Sequence, residues 1–117
     1  MTYNLLIVGE ADRARMARAL ADLVGVPVSE VDVAGEDDDD RNWEAKVLIT
    51  RTPSAGDVRE SLDIYLSVDA AHPSEAEAAS RLARELGTPV LYPAEEPVPS
   101  AYWVATPEGR RTRARIE

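Results

Sequence analysis

The chain contains no cysteine, no phenylalanine and one histidine. Without cysteine there is no thiolate nucleophile, no iron–sulfur ligation, no ordinary structural zinc site and no disulfide framework. A single imidazole leaves metal-centre and triad chemistry almost without ligands, so neither a metal nor a cofactor is expected. Long apolar runs are also missing. No stretch approaches the ~18 residues of a membrane span, and the opening MTYNLLIVGE has an apolar run too short, and without the basic flank, for a secretory signal. A cytoplasmic location follows as the expectation. Neither a Gly/Ser linker nor an internal repeat divides the 117 residues, so residues 1–117 read as a single domain. A chain of this size buries about two-thirds of its unfolded surface, enough to fold without staples.

What the chain has in excess is acid. It carries 22 acidic residues against 13 basic ones, a formal charge of 13 − 22 = −9. That balance argues against direct contact with nucleic acid or with an anionic membrane, and favours a basic protein surface as partner. The basic residues are twelve Arg and one Lys, and Ala is frequent, a codon habit of GC-rich genes rather than a nucleic-acid signature. Four of the arginines fall in the last eight positions.

Apolar spacing orders the elements. Tyr3 to Val8 has the continuous run of a central strand covered on both faces. From Ala11 to Val24, Met16, Leu20, Leu23 and Val24 make one stripe of an amphipathic helix, closed by Gly25 and Pro27. Part of Val28 to Val33 suits a short second strand. Five acids, Glu36 to Asp40, then repel one another into a solvated loop. Order returns at Trp43, and Glu44 to Thr50 pairs as a hairpin with Ser61 to Val68. There Leu62, Ile64, Leu66 and Val68 alternate with Ser61, Asp63, Tyr65 and Ser67, the period of a strand with one wet face. Ser74 and Glu77 form a capping box opening a helix through Ala79, Leu82, Ala83 and Leu86, which Gly87 and Pro89 close. Val90 to Tyr92 is a brief strand. A final hairpin turns at Pro107-Glu108-Gly109, where Pro fixes φ and Gly permits φ > 0. The expected fold is α+β: a two-layer sandwich of a mostly antiparallel sheet with two helices on one face, drawn as a ferredoxin-like core plus a C-terminal hairpin.

Catalytic constellations are thin. Gly9 after the first strand lacks the further glycines and the Gly-Lys-Ser/Thr of a phosphate loop, and Glu10 and Asp12 would face the anion. His72 with Asp69 and Ser74 matches a triad in composition only; a loop or capping role is the plainer reading. Asp37 to Asp40 lacks the turn glycine and distal glutamate of a calcium loop. It reads as solvated, or as a lure that speeds encounter with a basic partner. Trp43 beside it is either a core or boundary residue or an aromatic anchor of the kind that concentrates interface energy. Asp63 and Tyr65 project from the wet strand face, and Tyr102 stands next to Trp103 near Glu95 and Glu96. Arg111, Arg113 and Arg115 share one face of the last strand and, with Arg110, read as a solvated edge that discourages aggregation.

Leu62-Asp63-Ile64-Tyr65-Leu66, Gly87 to Glu96, Pro99 to Trp103 and Pro107-Glu108-Gly109 together give a pattern that resembles small acidic actinobacterial proteins of the polymorphic-toxin immunity type. The resemblance implies a cytoplasmic inhibitor, not an enzyme, that binds one cognate toxin domain. It assigns no residue roles. The residues themselves nominate Asp37, Asp38, Asp39, Asp40, Trp43, Asp63, Tyr65, Glu95, Glu96 and Tyr102 as contacts to a basic toxin. The alternative expectation is a small-molecule-binding or regulatory domain, with a pocket between sheet and helices near Gly9, His72 and Tyr92.

Overall fold

The computed structural model describes residues 2–67, 70–94 and 101–115. Its elements in chain order are β1 (Thr2–Ile7), α1 (Arg13–Val24), β2 (Val31–Gly35), β3 (Val47–Pro53), β4 (Glu60–Leu66), α2 (Glu75–Leu86), β5 (Val90–Pro93), β6 (Ala101–Ala105) and β7 (Arg111–Arg115). The strands make one open sheet in the order β2-β3-β4-β1-β5-β6-β7. Every pairing is antiparallel except β2 with β3. The fold is α+β, with two helices against a mostly antiparallel sheet.

Gly25, Ser74 and Gly87 end their helices as expected from the sequence, while α1 begins at Arg13 behind an Asp12 cap rather than at Ala11. Asp12 accepts from the Arg15 amide at the start of α1, and Gly25 ends that helix at φ 81°. Ser74 and Glu77 complete the capping box of α2, and Gly87 ends it at φ 68°. Each left-handed end suits glycine because a Cβ would be strained there. The buried stripes Met16, Leu20 and Val24 of α1 and Ala78, Ala79, Leu82 and Ala83 of α2 join Tyr3, Leu5, Ile7, Ile49, Leu62, Ile64, Leu66 and Val90 in one core. In-register pairs Tyr3↔Ile64, Leu5↔Leu62, Ile49↔Ile64 and Ile7↔Val90 put these strand residues on a single sheet face. The small residues of α2 let it lie close to the sheet.

Two expectations need correction and one needs detail. β1 lies in the middle of the sheet but is covered on one face only: Thr2 and Asn4 are exposed, Leu6 is half-buried and Val8 is exposed. Two helices in one layer leave the opposite face of a central strand open, so the run Leu5 to Val8 overstated its burial. Part of Val28 to Val33 does form a strand, since β2 begins at Val31; Val28–Glu30 before it is a 3-10 turn, because Pro27 sets the chain turning before Val31 can pair. β2 is then parallel to β3, which obliges the intervening loop to cross back along the sheet. Lastly, Gly9 and His72 do not share a pocket. Gly9 follows the C-terminal end of β1, whereas the segment around His72 sits at its start, where the Tyr3 hydroxyl donates to the Pro73 carbonyl. Six residue steps separate Tyr3 from Gly9, about 20 Å along an extended chain, and Tyr92 is buried in the core.

Candidate functional site

The face of the sheet turned away from the helices is built from the alternate residues of each strand. Register aligns Thr50, Asp63 and Asn4 across β3, β4 and β1, and Leu48, Tyr65 and Thr2 in the next row. Asp63 is exposed and Tyr65 is 44% exposed. The sequence period that buries Leu62, Ile64 and Leu66 is what turns these two outward. Tyr102 lies on the same face, opposite Pro93 and Ala114, and is half-buried. It is three strands from β4, about 14 Å at the usual spacing, so it borders the patch rather than joining it.

The other border is the loop from Glu36 to Lys46, which carries the chain from β2 back to the start of β3. Arg41 pins it. Its Nε donates to Asp32 Oδ2 at 2.9 Å, its Nη1 to Thr50 Oγ1 at 2.7 Å and its Nη2 to the Ile49 carbonyl at 3.0 Å. The Arg41 side chain is 5% exposed and that of Asp32 16%. A guanidinium so withdrawn from water is tolerated because a carboxylate and two neutral oxygens occupy its donors. Thr50 pairs with Asp63, so the pin sets the loop one strand from the exposed carboxylate. Outside it lies Trp43, 68% exposed, its ring centroid 5.3 Å from the Arg41 guanidinium carbon. Trp43 is therefore neither core nor boundary, and its ring lies against the buried Arg41 guanidinium. Asp37, Asp38, Asp39 and Asp40 are exposed. Asp38 alone has a local task, accepting from the Gly35 amide at 2.7 Å.

The structure thus brings Trp43, Asp63 and Tyr65 to the open side, with Tyr102 at the far margin, whereas Glu36, Asp37 and Asp38 line a cavity with Arg13 of α1, Arg51 and Glu60 on the helix side of the sheet. Glu95 and Glu96 lie outside the described residues. Sequence reasoning missed Arg41, Asp32 and Thr50, whose contacts span nine positions and obey no helical or strand period. The one available signal was a lone cation set between four aspartates and a tryptophan.

The residues of the catalytic constellations make structural contacts. The Ser74 hydroxyl accepts from the Glu77 amide and donates to Glu77 Oε1, both at 3.1 Å, while His72 Nε2 lies 2.9 Å from the Ser67 carbonyl. The hydroxyl is committed to a helix cap. Asp69 lies outside the described residues. The Gly9 amide donates to Thr88 Oγ1 at 2.7 Å, and a Cβ at Gly9 would stand 2.7 Å from that oxygen. Close packing against Thr88 accounts for the glycine. No group of three or more His, Cys, Asp or Glu suited to holding a metal occurs among the described residues. At the start of α2, burial raises the Glu75 carboxyl above its ordinary pKa, opposed in part by the hydrogen bond from the Asn4 amide. Burial, then the charges of Glu75 and Glu77, raises the Tyr3 phenol.

Comparison of the chain with known protein families, with curated proteins and with solved structures finds no match in any of the three. Among the described residues, no helix is long and apolar enough to cross a membrane.

Proposed function

We propose that this protein is a non-enzymatic binding protein of the immunity type, a cytoplasmic inhibitor that covers a cognate basic toxin domain with its open sheet face. One observation carries the reading: the face opposite the helices presents Asp63 and Tyr65, bordered by a loop that Arg41 pins and that carries an exposed tryptophan. An aromatic anchor ringed by charge is the arrangement in which interface energy concentrates, and the −9 charge would speed encounter with a cationic partner. The order β3-β4-β1-β5, antiparallel throughout with α1 and α2 on one side, supports a ferredoxin-like core beneath this face. β2 and the β6–β7 hairpin then extend it at either edge.

The test is affinity capture from the source cell with immobilised protein. One basic protein should be retained at about 50 mM salt, released at about 500 mM, and lost when Trp43→Ala and Tyr65→Ala are combined. Retention unchanged by that pair of substitutions would refute the assignment of the face, and an empty column at low salt would refute the inhibitor role itself.

A further inference from the structure

The helix layer carries a cationic groove on a chain whose net charge is −9. The groove runs along the seam between α1 and α2 and is lined by Arg15, Arg18, Ala19 and Asp22 of the first helix with Arg84 and Glu85 of the second. Its volume is about 460 Å³. Helical spacing makes it. Arg15, Arg18, Ala19 and Asp22 stand at i, i+3, i+4 and i+7 on one face of α1, and the short side chain of Ala19, 3% exposed, leaves a floor between longer neighbours. Asp22 is already engaged, because its carboxylate accepts from the Arg81 guanidinium. Arg15, Arg18 and Arg84 are exposed, and among the described residues no carboxylate pairs with any of the three. With Asp22 neutralised by Arg81, three guanidinium groups face Glu85, a local charge of 3 − 1 = +2. Arg15 and Arg18 are like charges on neighbouring turns of one helix, which costs that helix stability. An anion set between them would relieve it.

We propose that this groove binds a phosphoryl dianion, free or as a small phosphomonoester. Guanidinium forks meet phosphate oxygens two at a time, and a phosphomonoester near neutral pH brings close to two negative charges, the number the groove leaves unanswered. A phosphodiester brings one. The volume falls within the range of small-molecule sites, about 300 to 1,000 Å³, which favours a small ligand over a polymer. The surplus acid of the chain does not cancel the site, since charge is screened over ~8 Å at physiological salt and the carboxylates that line the groove are already counted. The site is independent of the open sheet face, so Trp43→Ala should leave it untouched.

The experiment is a titration of the intact, isotope-labelled protein followed by backbone amide NMR at about 50 mM salt and about pH 7, with methyl phosphate, inorganic phosphate and dimethyl phosphate as probes. Methyl phosphate should give saturable shifts centred on Arg15 to Asp22 and Arg81 to Glu85, and dimethyl phosphate should bind at least tenfold more weakly. Whether inorganic phosphate or methyl phosphate binds more tightly distinguishes the free anion from the ester as ligand; saturable binding of either at these residues supports the site. From about pH 7 to about pH 5 the affinity for methyl phosphate should fall about tenfold, because the ligand regains its second proton near pH 6 while arginine stays charged. Protonation of Glu85 would act in the opposite direction. Arg18→Gln combined with Arg84→Gln should abolish the shifts, and if that variant fails to fold, the three probes and the pH course on the parent decide. Dimethyl phosphate within threefold of methyl phosphate, an affinity unchanged by pH, no saturation up to about 20 mM, or shifts centred away from the seam would overturn the proposal.

Discussion

The two edges of the sheet use the same pair of side chains in inverted roles. At the β2 edge the arginine is inside and the tryptophan outside: Arg41 is 5% exposed and Trp43 68%. At the β7 edge Trp103 is half-buried and Arg111 and Arg113 lie over it in solvent. The difference follows from what surrounds each cation. Asp32, Thr50 and the Ile49 carbonyl offer Arg41 three acceptors in a fixed array, which makes its burial tolerable, and the indole lies outside it at the surface. At β7 the Trp103 ring lies beneath Arg111 and Arg113, which remain exposed. An Arg–Trp contact therefore has no fixed meaning as to which member is buried and which is presented.

The largest expected effect comes from breaking the first arrangement. Arg41→Met leaves the Asp32 carboxylate largely buried without its cation, and unfolding in urea should show a loss of about 3 kcal/mol. Next is Trp43→Ala. Its stability should stay within about 0.5 kcal/mol of the parent, while retention of the basic partner should weaken by about 2 kcal/mol, roughly thirtyfold. If stability fell instead, the tryptophan would be part of the fold and the contrast between the edges would fail. At the second edge, Arg111→Ala removes an exposed stacking contact and should cost about 0.5 kcal/mol in the same denaturation assay.

The smallest effect concerns pH. Glu75 has its folded pKa raised by burial, so the folded state holds this proton more tightly than the unfolded chain does. The corresponding stability is complete below the ordinary value of 4.5 and is lost as pH rises through the folded value. Glu75→Gln, measured by urea unfolding at several pH values, should therefore compare more favourably with the parent at about pH 7 than at about pH 4. A constant difference would mean that the carboxyl is solvated.

Elements with a local cause are legible in the sequence. Ser74, Gly25 and Gly87 mark helix ends through contacts within four residues, and the alternation from Ser61 to Leu66 separates core from open face without knowledge of any neighbour. Asp63 and Tyr65 follow from that rule alone. What escapes it depends on topology. Burial of β1 on one face rather than two follows from both helices sharing a layer, a fact of the whole chain. The loop of Arg41 and Trp43 crosses the sheet because β2 and β3 run parallel, and no period in residues 31–53 announces that direction. The stack of Arg111 and Arg113 on Trp103 is half visible, since the period of the arginines is plain but the ring opposite them is set by hairpin register.

The most direct test of the open face as the working surface is oxidative footprinting of the protein alone and bound to its captured partner. Trp43 and Tyr65 should be modified readily in the free protein and protected at least fivefold in the complex, with oxidation of Trp103 unchanged. Trp43 and Tyr65 as reactive in the complex as in the free chain would contradict the account.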